Sequence, residues 1–363
     1  MNSKCRRVAV KIGSNVLTRS DGMLDITRMS ALVDQVSALR GEGVEVIMIS
    51  SGAVASGRSE LAGTDVGHLD SVEQRQLFSA VGQAKLINRY YELFREHRLA
   101  VGQVLTMKEN FATRRHYLNQ RGCMEVMLAA GVIPIVNEND TVSVTELMFT
   151  DNDELSGLIA TMMRVDTLVI LSNIDGIYTG MPSDPGACLI KEVHPADDLS
   201  SYIRSERSGF GRGGMITKCG IARKVADEGI EVLIANGKTD NVLLRLLLGN
   251  CSDVACTRFV PRSGQISSVK RWMAHSTGFA KGVVYINELA ADRLCGDEAV
   301  SLLPIGITRI EGEWEKDDLI NIAASDGHVI GVGRASYGSA EAAGCVGRHD
   351  CRPLVHYDYL YID

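Results

Sequence analysis

The chain has 363 residues, with 38 Lys+Arg, 45 Asp+Glu and a formal net charge of −7. This acidic balance argues against a protein whose main work is to coat nucleic acid, because phosphate binding requires clustered positive charge. The length indicates two or three domains. A hydrophobic share of 45%, 36 glycines and only 5% aromatic residues favour an α/β protein with tight turns between strands and helices.

The sequence carries no sign of export or of membrane insertion. No apolar run approaches the ~18 residues that a membrane span needs, and the first residues lack the pattern of a signal peptide. The nine cysteines are scattered without a C-x-x-C pair. We therefore expect a cytoplasmic protein with reduced thiols, without a disulfide framework or a zinc site.

Up to about residue 250, apolar runs alternate with amphipathic stretches. The runs at 8–12, 44–50, 101–106, 132–136, 167–172 and 231–235 are the predicted strands. Helical spacing separates most of them, as in the segment from Ile26 to Leu39, which two glycines end. Nearly unbroken apolar strands are typical of a parallel sheet that is covered on both faces. The pattern predicts a three-layer α/β sandwich with a mainly parallel, doubly wound sheet.

The pattern changes after residue 250, where residues 250–265 predict a strand and a linker, and it changes again beyond Lys270. Short β-like runs follow, separated by Gly, Asp and Asn turn signals: GVVYIN, SLLPIGITRIEG, DLINIAA, HVIGVG and LVHYDYLYI. They predict a small C-terminal β-barrel. We place a catalytic domain at 1–262 and the β domain at 276–363.

Ligands of open α/β sheets bind beyond the carboxyl ends of the strands, so the residues that follow each strand are the first candidates. Lys11 ends the first strand before Gly13; it is either a lysine whose head reaches solvent or a cation aimed at a phosphate. Ser51 and Gly52 follow the second strand, where backbone N–H groups can hold an anion, although harmless turns look the same.

Two further polar segments suggest a site for a charged small molecule. Asn137 to Asp140 follow a fully apolar strand, as either a solvated turn or a binding site. Asp151 to Glu154 precede a helix, and an acidic capping box explains them as well as a site does.

A glycine-rich loop at 208–218 opens a later helix with Thr217 and Lys218. Glycines let backbone N–H groups face phosphate oxygens, and the lysine adds a point charge; the alternative is a flexible loop. The loop lacks Walker spacing. No nucleophile triad or metal-ligand motif is present in the sequence, and Cys219 is best interpreted as a bystander thiol.

Taken in order, these segments resemble the amino-acid kinase family, and within it the branch that phosphorylates the side-chain carboxylate of L-glutamate. The matching stretches are VKIGSNVLT (10–18), ISSGAVASGR (49–58), AVGQAKL (80–86), IPIVNENDTV (133–142), DNDELS (151–156), GIYT (176–179) and GRGGMITK (211–218). KRWMAHS, SLLPIGI and ASDGHVIGVG in the tail resemble the PUA domain that many bacterial members carry.

The resemblance implies transfer of a phosphoryl group from MgATP to L-glutamate, giving γ-glutamyl phosphate in the first step of proline synthesis. It implies that Lys11 and Lys218 flank the phosphoryl group and that Asp153 organises them. The glutamate residues it implies are Ser51, Gly52, Asp140, Asp151 and Asn152. The nucleotide residues it implies are Lys11, Ser172, Asn173, Arg212, Gly213, Gly214, Met215, Ile216, Thr217 and Lys218. The resemblance also implies that Mg²⁺ is held mainly through ATP, without a protein metal site, that proline is a feedback inhibitor, and that the chain forms a homo-oligomer (a dimer or tetramer).

Two departures from the family pattern lie on the nucleotide side. Ser172-Asn173 stands where the family often shows Thr-Asp, and Arg212 stands where many members have Thr. Two alternatives remain: another amino-acid kinase acting on acetylglutamate or aspartate, and an RNA-binding regulator that uses the PUA-like domain. The second is disfavoured because residues 276–363 carry 7 Lys+Arg and 14 Asp+Glu, whereas residues 1–275 carry 31 of each.

Overall fold

The computed structural model describes residues 5–112, 114–142, 152–180, 184, 186–199, 215–249, 253–262, 280–296 and 300–362. The chain divides into two compact units. The first comprises Met1–Lys108 and Gln120–Gly264, and the second comprises Gln265–Asp363 together with Glu109–Asn119. The predicted junction between 262 and 276 falls within 263–279, which lies outside the described residues.

The first unit is built on a large sheet. Its strands are β1 (Arg7–Ile12), β2 (Glu45–Ser50), β3 (Val101–Thr106), β4 (Ile133–Glu138), β5 (Thr167–Ser172), β6 (Ile177–Tyr178), β7 (Leu189–Ile190), β8 (Glu192–Val193), β9 (Glu231–Asn236) and β10 (Cys256–Phe259). Among the described residues the central sheet has the order β3-β4-β2-β1-β5-β9-β10-β8, and β6 pairs with β7 separately. Neighbours from β3 to β9 run parallel, whereas β9 and β10 are antiparallel. The prediction of a mainly parallel sheet is confirmed.

Helices connect these strands. They are α1 (Ser14–Leu17), α2 (Ile26–Gly41), α3 (Ala53–Glu60), α4 (Ser71–Glu96), α5 (Glu109–Ala112), α6 (Arg114–Ala129), α7 (Asn152–Met163), α8 (Met215–Asp227) and α9 (Val242–Leu247). Of these, α5 and the start of α6 fall in Glu109–Asn119, the segment assigned to the second unit. The longest, α4, starts at a capping box in which Asp70 accepts from the backbone N–H of Glu73 and Glu73 accepts from that of Asp70. Among the helices that the structure describes, none combines the length and the apolar character that a membrane crossing requires.

The two faces of the sheet pack against different helices, which gives the predicted three layers. Val8, Val10 and Ile12 alternate along β1 and join one core with α2, α4 and α9. Lys11 lies between them in the sequence and therefore faces the other side, where α7 packs on β1 and β5, and α8 packs on β9. The lysine that the sequence singled out is thus placed under α7.

The second unit contains the predicted small β domain, with its own sheet. Its elements are β11 (Gly282–Ile286), α10 (Glu288–Cys295), β12 (Ile307–Gly312), β13 (Leu319–Ala323), β14 (Val329–Arg334), α11 (Ser339–Cys345) and β15 (Leu360–Ile362). The strand order is β12-β11-β13-β14-β15. Trp314 and Tyr337 lie in its core, where the indole N–H of Trp314 donates to the carbonyl of Tyr337 over 3.1 Å.

One expectation about the cysteines is wrong. The structure joins Cys345 and Cys351 in a disulfide, with the two Cα atoms 6.1 Å apart. Cys345 ends α11, and Gly347 adopts a φ of +71°, which turns the chain back so that Cys351 meets it. The sequence spacing does not reveal this turn.

Candidate active site

The parallel strands bring their carboxyl ends to one edge of the sheet, and the predicted site residues follow those ends. Glu138, Ser50 and Ser172 end β4, β2 and β5, and Gly13 directly follows β1. Gly13 donates its backbone N–H to the carbonyl of Leu171 over 3.0 Å, so the turn after β1 lies directly against the end of β5. This edge is where α/β sheets bind their ligands.

Two lysines share one buried carboxylate at the centre of this edge. The Lys11 Nζ lies 2.5 Å from Oδ1 of Asp153, and the Lys218 Nζ lies 2.9 Å from Oδ2. The side chains of Lys11, Asp153 and Lys218 are only 6%, 1% and 12% exposed. β1, α7 and α8 supply one residue each, and together the three groups carry a formal charge of +1.

The ionisation of Asp153 is governed by these neighbours. Burial alone raises the pKa of a carboxyl group, but the positive charges and hydrogen bonds of Lys11 and Lys218 outweigh it and lower the pKa of Asp153 below its ordinary value. Asp153 is therefore an anion at neutral pH. Two buried cations can coexist here because this anion lies between them.

Beside this centre, side-chain amides form a chain of hydrogen bonds. Asn152 donates from Nδ2 to Oγ of Ser51 over 2.9 Å and to Oδ1 of Asn137 over 3.1 Å. Asn137 in turn donates from Nδ2 to Oε1 of Gln83, on α4, over 2.8 Å. Predicted residues Ser51 and Asn152 are thus in direct contact, and Asn152 directly precedes the carboxylate that joins the two lysines.

The predicted residue Asp140 lies in a second charged group. It forms an ion pair with Arg75 of α4, whose Nη2 also lies 3.6 Å from Oε2 of Glu138. Glu138 and Asp140 are only 4% and 7% exposed. The polar segment from Asn137 to Asp140, at the end of β4, is therefore a buried acidic wall of the candidate site, and the solvated turn that the sequence also allowed is wrong.

Glycines fix the turn that carries Ser51. Gly52 has a φ of +105°, a left-handed conformation that disfavours other residues, and it caps α3. A Cβ on Gly57 would overlap the carbonyl of Phe78, and one on Gly82 would overlap the carbonyl of Ala53. Helices α3 and α4 therefore touch backbone to backbone, which sets the position of Ser51 and Gly52 relative to α4.

On the other side of the lysine pair lie the residues predicted for the nucleotide. Ser172 is buried at the end of β5, and its hydroxyl donates to Oδ1 of the exposed Asn173 over 3.4 Å. Gly237, after β9, donates to the carbonyl of Ser172 over 2.8 Å. Met215, Ile216, Thr217 and Lys218 form the first turn of α8. Asp151, Arg212, Gly213 and Gly214 lie outside the described residues.

Cys219, next to Lys218, does not take part in this arrangement. Burial raises the pKa of its thiol to about 12, so it remains protonated at neutral pH. The interpretation of Cys219 as a bystander is consistent with this.

Two residues of the candidate site, Arg75 and Gln83, were not predicted from the sequence. Gln83 stands in the stretch AVGQAKL, which carries part of the resemblance. Arg75 has no local signal, because an arginine in an amphipathic helix usually faces solvent. Only the packing of α4 against the segment after β4 reveals its role.

Comparison with known proteins identifies the group to which the fold and site belong. The model of the amino acid kinase family matches residues 6–236, and the model of the PUA domain matches residues 282–356. A glutamate 5-kinase of Bacteroides thetaiotaomicron is 65% identical over 363 residues, covering 100% of both chains. One of Chlorobaculum tepidum is 46% identical over 359 residues, covering 98% of this chain and 97% of its own.

A solved structure supports the fold alone. Isopentenyl phosphate kinase superposes with a TM-score of 0.50 at 16% identity, covering 70% of this chain and 100% of that one. Together with the matches above, this similarity assigns the α/β sandwich and the separate C-terminal sheet to known domain types. The chain therefore belongs to the amino acid kinase family and groups with its glutamate 5-kinases, with a PUA domain at its C-terminus.

Proposed function

We propose that this chain is an ATP-dependent kinase that phosphorylates the side-chain carboxylate of L-glutamate, giving γ-glutamyl phosphate for proline biosynthesis. The full-length similarity to glutamate 5-kinases supports this activity. The observation that carries it is the buried centre in which Lys11 and Lys218 share Asp153 at the carboxyl edge of the sheet.

The chemistry needs positive charge and positioning more than it needs a base. The side chain of glutamate has an ordinary pKa of ~4.3 and is already ionised at neutral pH, so no general base is required. The difficulty is that two anions must approach each other. Lys11 and Lys218 reduce the repulsion, and they stabilise the charge spread over the equatorial oxygens of the transferring phosphoryl group. Asp153 holds the two ammonium groups in place.

The residues present fit a magnesium ion that arrives with the nucleotide. Within the described ranges, no group of three or more His, Cys, Asp or Glu side chains is arranged to hold a metal, and Asp153 is engaged by both lysines. Mg²⁺ commonly binds through substrate phosphates with few protein ligands. When bound through ATP, it supplies charge neutralisation at the phosphates.

On the glutamate side, Asp140 receives the α-ammonium group of the substrate, and the amide of Asn152 with the hydroxyl of Ser51 binds carboxylate oxygens. Gly52 lets the backbone approach, and Asp151 completes this set. Support comes from the contact between Asn152 and Ser51 and from the burial of Asp140.

On the nucleotide side, ATP is bound by Lys11, Ser172, Asn173 and the segment 212–218. The N-terminus of α8, at Met215, offers backbone N–H groups to phosphate oxygens, as does the residue pair Ile216-Thr217. The position of Ser172 beside β1 and β9 supports this half of the proposal.

The test is a coupled assay with ATP, Mg²⁺ and L-glutamate, in which hydroxylamine traps the acyl phosphate as a hydroxamate. We expect hydroxamate formation that depends on both substrates. N-acetyl-L-glutamate and L-aspartate, the substrates of the rival kinases, should give little product. Equal or greater turnover of either rival would overturn the assignment to glutamate.

Regulation, assembly and location follow as further proposals. Proline competes with glutamate near Ser51, so millimolar proline should raise the glutamate KM; an unchanged KM and rate would exclude this.

The chain forms a dimer or tetramer, which light scattering would measure. It is a cytoplasmic enzyme that does not bind nucleic acid, so filter binding to bulk RNA should be weak; tight binding with a steep salt dependence would revive the RNA-binding alternative.

A further inference from the structure

Helix α4 presents polar side chains to residues 137–141, which comprise the end of β4 and the turn after it. Arg75 forms ion pairs with Asp140 and Glu138. Its neighbour Gln76 donates from Nε2 to the carbonyl of Thr141 over 2.9 Å. Two turns further along, Gln83 accepts from Asn137. The helix therefore contributes to fixing the orientation of this acidic wall, together with the end of β4.

The two acids of this group are almost fully buried, whereas the arginine reaches the surface. Glu138 and Asp140 are 4% and 7% exposed, while the side chain of Arg75 is 23% exposed. A buried carboxylate is stabilised by a neighbouring cation, and Arg75 is such a cation for Asp140. In the proposed function, the α-ammonium group of the substrate approaches the same carboxylate.

We propose that Arg75 is the positioning residue for recognition of the α-amino group. It holds Asp140 turned toward the substrate and prevents the two buried carboxylates from repelling each other. This inference rests on the proposed function, because it takes L-glutamate as the substrate. On this proposal, α4 allows the enzyme to distinguish a free amino acid from an analogue that lacks the positive charge.

A substrate analogue makes this distinction measurable. Glutarate has both carboxylates of glutamate but no ammonium group, so Arg75 and Asp140 give it no favourable contact. In the wild-type enzyme we expect glutarate to be a weak competitive inhibitor, with an inhibition constant well above the glutamate KM. The ratio of these two constants reports recognition of the ammonium group.

The experiment compares wild type, Arg75→Gln, Arg75→Lys and the control Arg89→Gln in the hydroxamate assay. Arg89 lies on the same helix in a surface ion pair with Glu92, away from the site. For Arg75→Gln we expect the glutamate KM to rise about 10-fold or more, as is typical when one partner of a buried charge pair is lost. We expect the KM for ATP and the inhibition constant of glutarate to stay within about twofold.

Arg75→Lys should show a smaller rise in the glutamate KM, because lysine keeps the charge but cannot reach two carboxylates with a planar fork. Arg89→Gln should behave as wild type. An Arg75→Gln enzyme with an unchanged glutamate KM overturns the proposal. A parallel rise of the glutarate constant also overturns it, since general disruption of the site affects both ligands.

If Arg75→Gln does not fold, Arg75→Lys carries the same test: a higher glutamate KM with an unchanged glutarate constant supports the proposal, and parallel changes overturn it. Failure of the proposed function is distinguishable, because wild type itself would then form no hydroxamate from glutamate.

Discussion

The two halves of the site solve different electrostatic problems. Around Asp153, two cations share one buried anion, and these three groups sum to a formal charge of +1. Around Asp140, two acids share one arginine, and these three groups sum to a formal charge of −1. Between them runs the neutral chain of Ser51, Asn152, Asn137 and Gln83.

In the proposed function, one half of the site acts in catalysis and the other in substrate binding. Positive charge next to the phosphoryl group would act on charge that develops during transfer, and such interactions affect kcat. A carboxylate next to the ammonium group would act on a charge that does not change during the reaction, and such interactions affect KM. In this proposal the substrate spans both halves, with its ammonium end at one and its reactive carboxylate at the other.

Asp153→Asn should give the largest effect, because it leaves Lys11 and Lys218 buried without their anion. Removing one partner of a buried pair typically costs ~3–5 kcal/mol of stability, measured here by urea unfolding at pH 7. The lowered pKa of Asp153 gives the sign of the pH dependence. Its stabilisation is present above the unfolded-state pKa of ~3.9 and is lost as the pH falls through the folded-state pKa.

The difference between wild type and Asp153→Asn should therefore shrink on acidification below about pH 4. The matched control is Asp21→Asn, because Asp21 forms a surface pair with Arg19 in which both side chains are 53% exposed. Such a pair contributes ~0–1 kcal/mol. An equal decrease in the free energy of unfolding in Asp153→Asn and Asp21→Asn would contradict the role given to Asp153.

Lys218→Ala should reduce kcat by about 10²-fold or more, the magnitude typical of removing one preorganised charge from a transition state. The glutamate KM should change little, because the ammonium end of the substrate is bound elsewhere. Steady-state kinetics of the hydroxamate assay measure both constants. Lys85→Ala, which removes a surface lysine paired with Glu60, is the control. Near-full turnover in Lys218→Ala would refute its catalytic role.

Asn152→Ala should mainly raise the glutamate KM and leave kcat nearly unchanged. We expect a rise of about 10-fold, because a charge-assisted hydrogen bond to the substrate is lost. Asn88→Ala is a suitable comparison, since Asn88 makes a surface hydrogen bond of 3.1 Å to Glu92 on α4. A fall in kcat with an unchanged glutamate KM would contradict a role in glutamate binding and would indicate that Asn152 acts on the transferring phosphoryl group.

Gln83→Ala should have the smallest effect, about 3-fold on the glutamate KM, because Gln83 reaches the site only through Asn137. The kcat should not change. If Gln83→Ala raised the glutamate KM as much as Asn152→Ala does, the hydrogen-bonded amides would act as one unit. The effects of the two substitutions in a double variant would then be non-additive.

The strands and the proposed catalytic residues differed in how far the sequence could predict them. The strands at 101–106 and 167–172 were predicted with their observed bounds, because apolar runs between turn signals identify a buried strand. The two-residue strands β6, β7 and β8 were missed, since so short a segment has no periodicity. Antiparallel β10 was expected only as a strand near a linker.

The site required information that local patterns do not hold. Lys11, Asp153 and Lys218 come from three segments far apart in the chain, and only the resemblance to a family grouped them. Arg75 is paired with a residue 65 positions away, and no periodicity encodes such a contact. The disulfide between Cys345 and Cys351 depends on a turn geometry that the spacing of cysteines does not specify.

The crossing of α3 and α4 at Gly57 and Gly82 has a consequence for how the substrate meets the protein. Because nothing larger than hydrogen separates the two backbones, the start of α3, next to Ser51, is packed directly against the part of α4 that carries Arg75 and Gln83. The amino-acid pocket that we propose is thus largely prebuilt, and the entropy of ordering it is lost on folding, before any ligand arrives. A molecule that competes for this pocket must fit its existing shape or displace two helices together.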